Sequence, residues 1–348
     1  MPPTPRRVTQ AEVARIAGVS QAIVSLVLNG SDTVRVTPET RGRVEDALRA
    51  TGYTVDIMGR RLRGKSNRIL GVFTYESVFP SGVADFYRPF LMGIEEQAEA
   101  QGFDLLLFTS TGRRDGRRHV YVEGTNRLRI ADGCVLLGRH NDPQELARLV
   151  EERFPFVFIG RRESPAGAIS YVGADYVSST RAVYDWVWKL GHRKIALVSV
   201  AEEFEPTLDR RDGYRLAAGR RRRKPIMIIG DDPAAALREA LAQQVTALLV
   251  ESTAMAEGIK ALAEAGGIAV PGGLSIAVLG DSDPTQQPSS TRAASRSDTD
   301  WSMFRIPRRQ MGADAIRTLT ELLAGSGERQ TLLPCELHRG ATVSAPQV

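Results

Sequence analysis

The sequence predicts a mixed α/β protein, with an all-α head at the amino terminus followed by two lobes in which helices cover doubly wound parallel sheets. Three observations support this fold. The first 53 residues contain helical patterns and no strand-like run, whereas short apolar runs alternate with amphipathic segments beyond residue 68. With 348 residues, 42% of them hydrophobic, the chain can form two or three domains with sizeable cores. The net positive charge is confined to the amino-terminal end.

Three short helices are predicted in the head. Thr9 with Glu12 forms a capping-box pattern that begins the first helix, and Gly18 ends it. Ser20 can cap a second helix, and Thr37-Pro38-Glu39 begins a third. The apolar side chains expected to form the common core are Val13, Ile16, Ala17, Ile23, Val24, Val27, Leu28, Val44, Ala47 and Leu48.

The charge of the chain is concentrated in its first fifth. Residues 1–65 contain 11 Lys and Arg against 6 Asp and Glu, which equals the net charge of +5 for the whole chain. A compact basic module on a neutral body is typical of proteins that bind a polyanion. Arginine, which offers bidentate geometry, supplies most of this charge because the chain has five lysines.

The residues of the head resemble a known family. Val8–Ser20 and Ile23–Gly30 resemble the amino-terminal signature of the lactose and galactose repressor family of bacterial transcriptional regulators, and Thr37–Tyr53 resembles its third helix. The resemblance implies a helix-turn-helix DNA-binding domain over 1–55, a hinge over 56–67 and a two-lobed effector-binding and dimerisation domain over 68–348.

The same resemblance implies DNA contacts for named side chains. Gln21, Ala22 and Leu26 match the positions that read base edges in the major groove. Glutamine can pair with adenine, while alanine and leucine can contact a thymine methyl group. Leu26 could alternatively be an ordinary core leucine. The positions that match phosphate contacts are Thr9, Ser20, Ser25 and Asn29.

In the family, the hinge folds into a helix on DNA and inserts a leucine into the minor groove. Leu62 matches that leucine, and the cations around it are Arg60, Arg61, Arg63 and Lys65. Val55-Asp56 replaces the usual Asn-Pro, and Gly59 replaces an alanine, at a cost of roughly 1 kcal/mol to the helix. This hinge is therefore expected to be harder to order.

Beyond the hinge, the pattern predicts parallel sheets with a ligand cleft at the carboxyl ends of the strands. The predicted strands are Ile69–Phe73, Asp104–Phe108, Gly133–Leu137, Phe156–Ile159, Lys194–Val198, Pro225–Ile229, Ala247–Val250 and Ser275–Leu279. The predicted helices cover 86–101, 142–153, 176–190, 232–243 and 254–266.

This region resembles the effector domain of the family, which is itself similar to periplasmic sugar-binding proteins. The segments that carry the resemblance are Gly93–Glu95, Gly102-Phe103, Leu190–Ala196, Gly213–Arg215 and Arg305–Gly312. By this resemblance, Phe86 and Tyr87 stack on the effector, Arg210 binds its polar face and Asp281 accepts hydrogen bonds. Alternatively, the aromatic pair belongs to the core, Arg210 to the surface and Asp281 to a turn. Ser252-Thr253 replaces an Asn-Asp pair that often binds a sugar, so a sugar effector is in doubt.

Little in the sequence favours an enzyme. The four histidines are scattered, and the chain has no phosphate-loop motif, nucleophile elbow or dinucleotide fingerprint. We therefore predict no catalytic residue, metal or cofactor. His192 is expected to end a helix. Cys134 and Cys335 lie in apolar runs without metal-ligand spacing, which favours buried thiols.

Other patterns bear on location and on a second DNA contact. No apolar run approaches the ~20 residues that span a bilayer, and no secretory signal precedes the first helix, so a cytoplasmic protein without a membrane partner is expected. The run Arg220–Lys224 could bind nucleic acid, although a solvated helix end is the favoured interpretation.

The sequence thus predicts a DNA-binding transcriptional regulator, a repressor by preference, that acts as a homodimer on a palindromic operator. A small effector, sugar-like or another metabolite, would bind between the lobes. Two alternatives are a solute-binding protein of a transporter and a nucleoid-type architectural protein. The first has no use for a basic head, and the second leaves the large neutral α/β body unexplained.

Overall fold

The computed structural model describes residues 8–29, 36–53, 66–76, 84–109, 113–114, 117–280 and 299–347. The chain divides into two compact units, with the boundary between Asn67 and Arg68. The predicted hinge residue Leu62 and the predicted ligand residue Asp281 lie outside the described residues.

The described part of the first unit contains α1 (Gln10–Ala17), α2 (Gln21–Asn29) and α3 (Pro38–Thr51). Their starts follow the capping chemistry expected from the sequence: the hydroxyl oxygens of Thr9 and Ser20 accept from the backbone N–H groups of Glu12 and Ile23, at 3.3 and 3.4 Å. Gly18 ends α1 in the left-handed region, at φ 64°.

The core of this unit differs from the prediction at one position of α1. Val13, Ala14 and Ala17 are buried, whereas Ile16 is 48% exposed. The prediction for Ile16 was wrong because the buried stripe of this short helix runs through positions 13, 14 and 17 and leaves position 16 on its edge. The buried residues of the other two helices are Val24, Val44 and Ala47.

The second unit contains two lobes, each built on a six-stranded sheet within the described residues. The first sheet is parallel throughout, with the order β15-β9-β8-β7-β1-β2. Its strands are β1 (Ile69–Thr74), β2 (Asp104–Phe108), β7 (Gly133–Leu137), β8 (Phe156–Ile159), β9 (Ser170–Ala174) and β15 (Gln330–Leu333). The short hairpin strands β3 (Arg113–Arg114), β4 (Arg117–Arg118), β5 (Tyr121–Val122) and β6 (Thr125–Asn126) and a 3₁₀ turn over Arg127–Ile130 precede β7. The helices that pack on this sheet are α4 (Ala84–Ala100), α5 (Pro143–Glu151) and α10 (Arg308–Leu323).

The second sheet has the order β11-β10-β12-β13-β14-β16 and is parallel except for the pair β14 and β16. Its strands are β10 (Ile195–Ser199), β11 (Ile226–Ile229), β12 (Ala247–Val250), β13 (Ser275–Val278), β14 (Ser302–Arg305) and β16 (Glu336–His338). Its helices are α6 (Tyr176–Lys189), α7 (Glu205–Arg220), α8 (Pro233–Ala242) and α9 (Thr253–Ala265).

Each sheet carries an apolar cluster on both faces, as a sheet covered by helices on two sides requires. The chain passes from the first lobe to the second after β9, returns with α10 after β14, and crosses again between β15 and β16. Cys335 lies in this last crossing and is half-buried, so the expectation of a buried thiol was wrong for this cysteine.

Two helix pairs meet at glycines. A Cβ atom at Gly312 of α10 would lie 2.2 Å from the carbonyl oxygen of Phe90 in α4, and one at Gly93 would lie 1.9 Å from that of Arg309. In the second lobe, a Cβ atom at Gly213 of α7 would lie 2.4 Å from the carbonyl oxygen of Val177 in α6. Each lobe therefore contains one pair of helices whose backbones meet closely at a glycine.

Candidate functional site: the surface of the second helix and an interlobe cleft

The start of α2 presents polar and small side chains to solvent. Ser20, Gln21 and Ala22 are exposed, as is Thr9 at the start of α1. The hydroxyl oxygens of Thr9 and Ser20 accept backbone N–H groups, so each hydroxyl keeps a proton that it can donate to an outside acceptor such as a phosphate oxygen.

Two further predicted DNA contacts lie along α2. Ser25 and Leu26 are half-buried, and Leu26 does not pack against the apolar cluster of its unit, whereas Val27 does. This arrangement favours a surface role for Leu26 over the alternative of a core leucine. Asn29 ends α2, and its side chain lies outside the described residues.

The net positive charge of the amino-terminal unit comes from residues outside its described helices. Within residues 8–29 and 36–53, four arginines balance four acidic residues. The net charge of +5 therefore belongs to the segments 1–7, 30–35 and 54–65, which are outside the described residues. Because the unit comprises Met1–Asn67, it carries the whole net charge of the chain, in segments that flank the three helices in the sequence.

The second unit has a cleft between its lobes, at the carboxyl ends of strands from both sheets. It encloses about 370 Å³. Its described lining consists of Glu76, Phe86, Tyr87, Phe90, Leu137, Gly138, Arg139, His140, Ile159, Gly160, Arg162, Ala174, Tyr176, Phe204, Pro206, Arg210, Glu251, Ser252, Thr253, Gly280, Ile306, Arg308 and Met311.

Glu76 organises the first-lobe side of the cleft. One of its carboxylate oxygens accepts from the Tyr87 hydroxyl at 2.8 Å and from the backbone N–H of Arg139 at 3.2 Å. The other accepts from the backbone N–H of His140 at 3.0 Å and lies 3.3 Å from Nδ1 of its ring. The carboxylate thus fixes Tyr87 and the turn that follows β7.

Glu251 has the corresponding position in the second lobe. Its carboxylate accepts from the hydroxyls of Ser199 at 2.8 Å and Thr207 at 2.6 Å, from the backbone of Val200, and from Nη1 of Arg210 at 3.2 Å. Nε of Arg210 donates to the carbonyl oxygen of Leu279 at 2.7 Å. The Arg210 side chain is 9% exposed. The alternative of a surface charge is therefore excluded.

Ion pairs connect the lobes around this cleft. Arg161, which follows β8, forms a bidentate pair with Asp209 of α7, at 2.8 and 3.1 Å. Arg162 lies 3.2 Å from Glu205, while Arg139 and His140 both contact Glu202, at 3.1 and 2.8 Å. Burial lowers the pKa of Arg162, and the negative charge of Glu205 opposes this shift.

Comparison with known proteins identifies both units. Residues 9–56 match the lacI family of bacterial regulatory proteins, and residues 184–343 match a periplasmic binding protein-like domain. The chain thus combines a lacI-family DNA-binding domain with a periplasmic binding protein-like domain.

Similar proteins cover almost the whole of this chain. The transcriptional regulator CelR of Thermobifida fusca is 29% identical over 343 residues, which are 96% of this chain and 97% of CelR. The repressor CytR of Escherichia coli K12 is 28% identical, over 97% of each chain. Both relatives are regulators of transcription.

Solved structures agree on the fold. The lac repressor dimer bound to operator and the anti-inducer ONPF has a TM-score of 0.68 at 21% identity, covering 98% of this chain and 100% of that one. The CelR–cellobiose complex has a TM-score of 0.61 at 26% identity, with 97% of this chain and 100% of that one covered. The lacI-family fold class predicted from the sequence is thereby confirmed.

The structure brings together five of the six side chains that the family resemblance assigns to the effector. Phe86, Tyr87, Arg210, Ser252 and Thr253 all line the cleft. Asp281 follows the lining residue Gly280 but lies outside the described residues.

The roles of these side chains are partly structural. The hydroxyl oxygen of Ser252 caps α9 by accepting from the backbone N–H of Met255 at 3.5 Å. The hydroxyl of Tyr87 donates to Glu76, and the guanidinium of Arg308 lies over the Phe86 ring, 4.7 Å from its centre. Tyr87 and Phe86 thus contact charged side chains in addition to the core.

Sequence reasoning missed most charged residues of the cleft. Each of them follows shortly after a strand of the two parallel sheets or after the strand β14: Glu76, Arg139, His140, Arg162, Glu251 and Arg308. The signal that could have found them is this position, because the carboxyl ends of parallel strands meet at one edge.

Titratable groups also occur outside the cleft. Burial raises the pKa of the Cys134 thiol and lowers that of His192, which follows α6. His119, Asp142 and Glu145 lie within reach of one cation, but Glu145 accepts from the backbone of Val120 and Tyr121 and Asp142 caps α5. These hydrogen bonds account for the cluster.

A run of basic residues lies on the surface outside the cleft. Residues Arg220–Lys224 form the exposed end of α7 and the turn after it, as the favoured interpretation predicted.

Among the helices that the structure describes, no single one is long and apolar enough to cross a membrane. The helices α1 and α2 meet the criteria of length and composition only as a pair, which is bent by 103°.

Proposed function

We propose that this chain is a homodimeric repressor that reads an inverted-repeat operator through α2 and changes its DNA affinity when a small molecule binds in the interlobe cleft. We assign DNA binding to residues 1–55, a hinge to 56–67, and effector binding with dimerisation to 68–348. The observation that carries the proposal is the presence, in one chain, of a solvent-facing Gln21 and Ala22 on α2 and of a polar cleft between two lobes.

The proposed DNA contacts divide by chemistry. Gln21, Ala22 and Leu26 read bases, because an amide can pair with adenine and small apolar groups can contact thymine methyl groups. Backbone phosphates are bound by Thr9, Ser20, Ser25 and Asn29. Leu62 of the hinge remains a predicted minor-groove wedge.

Dimerisation follows from the size of the reading surface. One helix-turn-helix buries too little area for tight, specific binding, so two copies related by a two-fold axis are required. The edge strands β2 and β11 present exposed apolar side chains, with Leu105 38% and Ile229 52% exposed. We propose that a second copy covers these edges.

In this proposal, ligand binding in the cleft regulates the affinity for DNA. Residues of both lobes line it, so a ligand that contacts both has different affinities for open and closed arrangements, which is the requirement for allostery. If the lobes set the separation of the hinges, closure changes how well two heads fit an operator. Chromosomal DNA as the target places the protein in the bacterial cytoplasm.

The test begins with selection of DNA from a random library by the full chain, followed by fluorescence anisotropy and ultracentrifugation on the selected site. We expect an inverted repeat, two chains for each site, and an affinity that falls steeply with salt because phosphates are neutralised. A stable monomer on an asymmetric site would contradict the proposal. Binding without sequence preference would favour the architectural alternative, and the absence of DNA binding would favour a solute-binding protein.

A further inference from the structure

The described lining of the cleft has little hydrogen-bond acceptor capacity left. A carboxylate offers about four lone-pair sites. That of Glu251 meets four protein donors, and that of Glu76 meets three and also lies 3.3 Å from Nδ1 of the His140 ring. The backbone carbonyl oxygens at the strand ends are also engaged: those of Gly138 and Arg139 accept from Arg162, and that of Leu279 accepts from Arg210.

Unpaired donors, in contrast, occur among the buried atoms of the same lining residues. Nε of Arg139, Nε of Arg162 and the hydroxyl of Thr253 are buried and have no hydrogen-bond partner among the described residues. Arg162 is 2% exposed and Thr253 is 8% exposed, so bulk solvent does not satisfy them fully. Burying an unsatisfied donor costs free energy, which a ligand with acceptor atoms would recover.

The helices add positive potential at the same place. Four helices begin at the described lining of the cleft: α6 at Tyr176, α7 beside Pro206, α9 at Thr253 and α10 at Arg308. The amino-terminal end of a helix carries a partial positive charge and points N–H groups at its surroundings. No side chain caps α7 or α10.

We infer that the cleft selects an effector that carries a carboxylate or phosphate group over a neutral sugar. The donors come from both lobes, Arg139 and Arg162 from the first and Thr253 from the second, so an anion bound by them holds the lobes together. Every hydroxyl of a neutral sugar brings a donor together with its acceptor lone pairs, whereas an ionised carboxylate only accepts, and the occupied carboxylates of Glu76 and Glu251 leave little capacity for hydroxyl donors. The inference rests on the proposed function of the cleft as the effector site, and it separates this chain from CelR, whose solved complex contains cellobiose.

The experiment measures binding of simple probes to the full-length protein by calorimetry and thermal unfolding at constant ionic strength. The probes are inorganic phosphate, glucuronate and glucose, the last being the neutral counterpart of glucuronate. We expect phosphate or glucuronate to bind saturably and about tenfold or more tightly than glucose. The stronger of the two anions identifies the anionic group.

A matched pair of variants tests the position of the anion. Thr253→Val removes one donor while preserving shape, and should weaken anion binding by about fivefold. Thr318→Val, at a buried threonine of α10 that does not line the cleft, should leave it unchanged. Glucose binding as tight as that of glucuronate, no saturable binding of either anion, or equal effects of the two variants would each overturn the inference.

Different results decide the proposed function and the anionic effector. If a neutral sugar alone changes operator affinity, the proposed function stands and the anionic effector is wrong. If no selected DNA sequence is bound specifically, the proposed function is wrong even when anions bind in the cleft.

Discussion

Single residues in the amino-terminal unit divide into those that hold the helices together and those that face outward. Val13, Val24 and Val44 are fully buried, and their substitution would affect stability. Gln21 and Ala22 directly follow the capping Ser20 in the first turn of α2 and are exposed. Because exposed side chains contribute little to folding, their effects on DNA binding can be measured without loss of the fold.

Gln21→Ala should therefore weaken binding to the selected operator by about 1–3 kcal/mol and binding to random DNA very little, because a base contact carries sequence information and a phosphate contact does not. Fluorescence anisotropy on both DNAs measures the difference. Gln243→Ala, at an exposed glutamine of the second unit, serves as the control. Equal losses on both DNAs would mean that Gln21 contacts the backbone.

A second residue-scale prediction concerns pH. The ring of His192 is buried, with Nε2 2.8 Å from the carbonyl oxygen of Ser344 and Nδ1 2.9 Å from the Thr246 hydroxyl. Burial lowers its pKa from 6.5. The unfolded chain thus binds more protons in mild acid, so the free energy of unfolding contributed by His192 is present above about pH 6.5 and is lost as the pH falls below it.

His192→Gln keeps a donor and an acceptor but cannot be protonated, so it should flatten this pH dependence. Urea unfolding between about pH 5 and 7.5 measures the effect. Gln243→Ala, at an exposed side chain that does not titrate, should keep the slope of the unaltered protein. If His192→Gln also keeps that slope, another group controls stability in this range.

At the scale of helices and strands, the contact between α4 and α10 depends on glycine. A methyl group at Gly312 would lie 2.2 Å from the carbonyl oxygen of Phe90, so the two helices would have to separate. Gly312→Ala should lower the free energy of unfolding by about 1–3 kcal/mol, as measured by urea unfolding.

Gly219 provides the matched control for that prediction. It is also a helical glycine of the second unit, but a Cβ atom there meets nothing within 4 Å. Gly219→Ala should be neutral or stabilising by up to about 1 kcal/mol, because alanine has the higher helix propensity. A Gly312→Ala variant as stable as Gly219→Ala would show that the helices adjust without cost.

The sequence predicted those elements in which the order of apolar and polar residues reflects burial. Four strands have the predicted bounds. In three of them, Gly133–Leu137, Phe156–Ile159 and Ala247–Val250, every position is apolar and buried because helices cover both faces. The fourth, the edge strand Asp104–Phe108, begins with exposed residues. The strands β9, β14, β15 and β16 were missed, since polar residues and glycine interrupt them, as in Ser170–Ala174.

Two helices, α7 and α10, lie outside the predicted segments, and for α7 the physical reason is of the same kind. The buried face of α7 contains Thr207, Asp209, Arg210 and Arg211 because it faces the cleft and the other lobe, so the helix shows no apolar period. Residues such as Arg162 and Glu251 were missed for a related reason: their role depends on strands that are distant in sequence and meet only in the folded sheets. The family resemblance supplied Arg210 and Thr253, which composition alone does not distinguish.

At the scale of the whole molecule, charge and ligand binding are separated along the chain. The net charge of +5 lies in segments that flank the three helices of the first unit, and the second unit carries ion pairs across its cleft. The proposed base recognition by α2 and the proposed attraction of phosphates to the flanking segments are therefore separable functions. Regulation must act through the arrangement of the lobes, which the ion pairs stabilise.

The strongest of these ion pairs by geometry is the one between Arg161 and Asp209. Two parallel hydrogen bonds, of 3.1 and 2.8 Å, join a loop of the first lobe to α7 of the second. Asp209→Asn removes the charge and one acceptor, so the closed arrangement should lose population. We expect a larger radius of gyration by small-angle X-ray scattering and weaker effector binding, because apparent affinity falls with the fraction of molecules that are closed.

Glu96→Gln is the matched control for this prediction, since Arg309 and Glu96 form a bidentate pair of similar geometry, at 2.9 and 2.6 Å, inside the first lobe. It removes the same chemistry without a contact between lobes and should change neither the radius of gyration nor effector binding. Equal behaviour of the two variants would mean that the apolar contacts of Tyr176 and Ile306 with the core clusters of both lobes, rather than the ion pairs, hold the lobes together. In that case effector binding would resist added salt, whereas ion pairs at the rim of the cleft make it sensitive to salt.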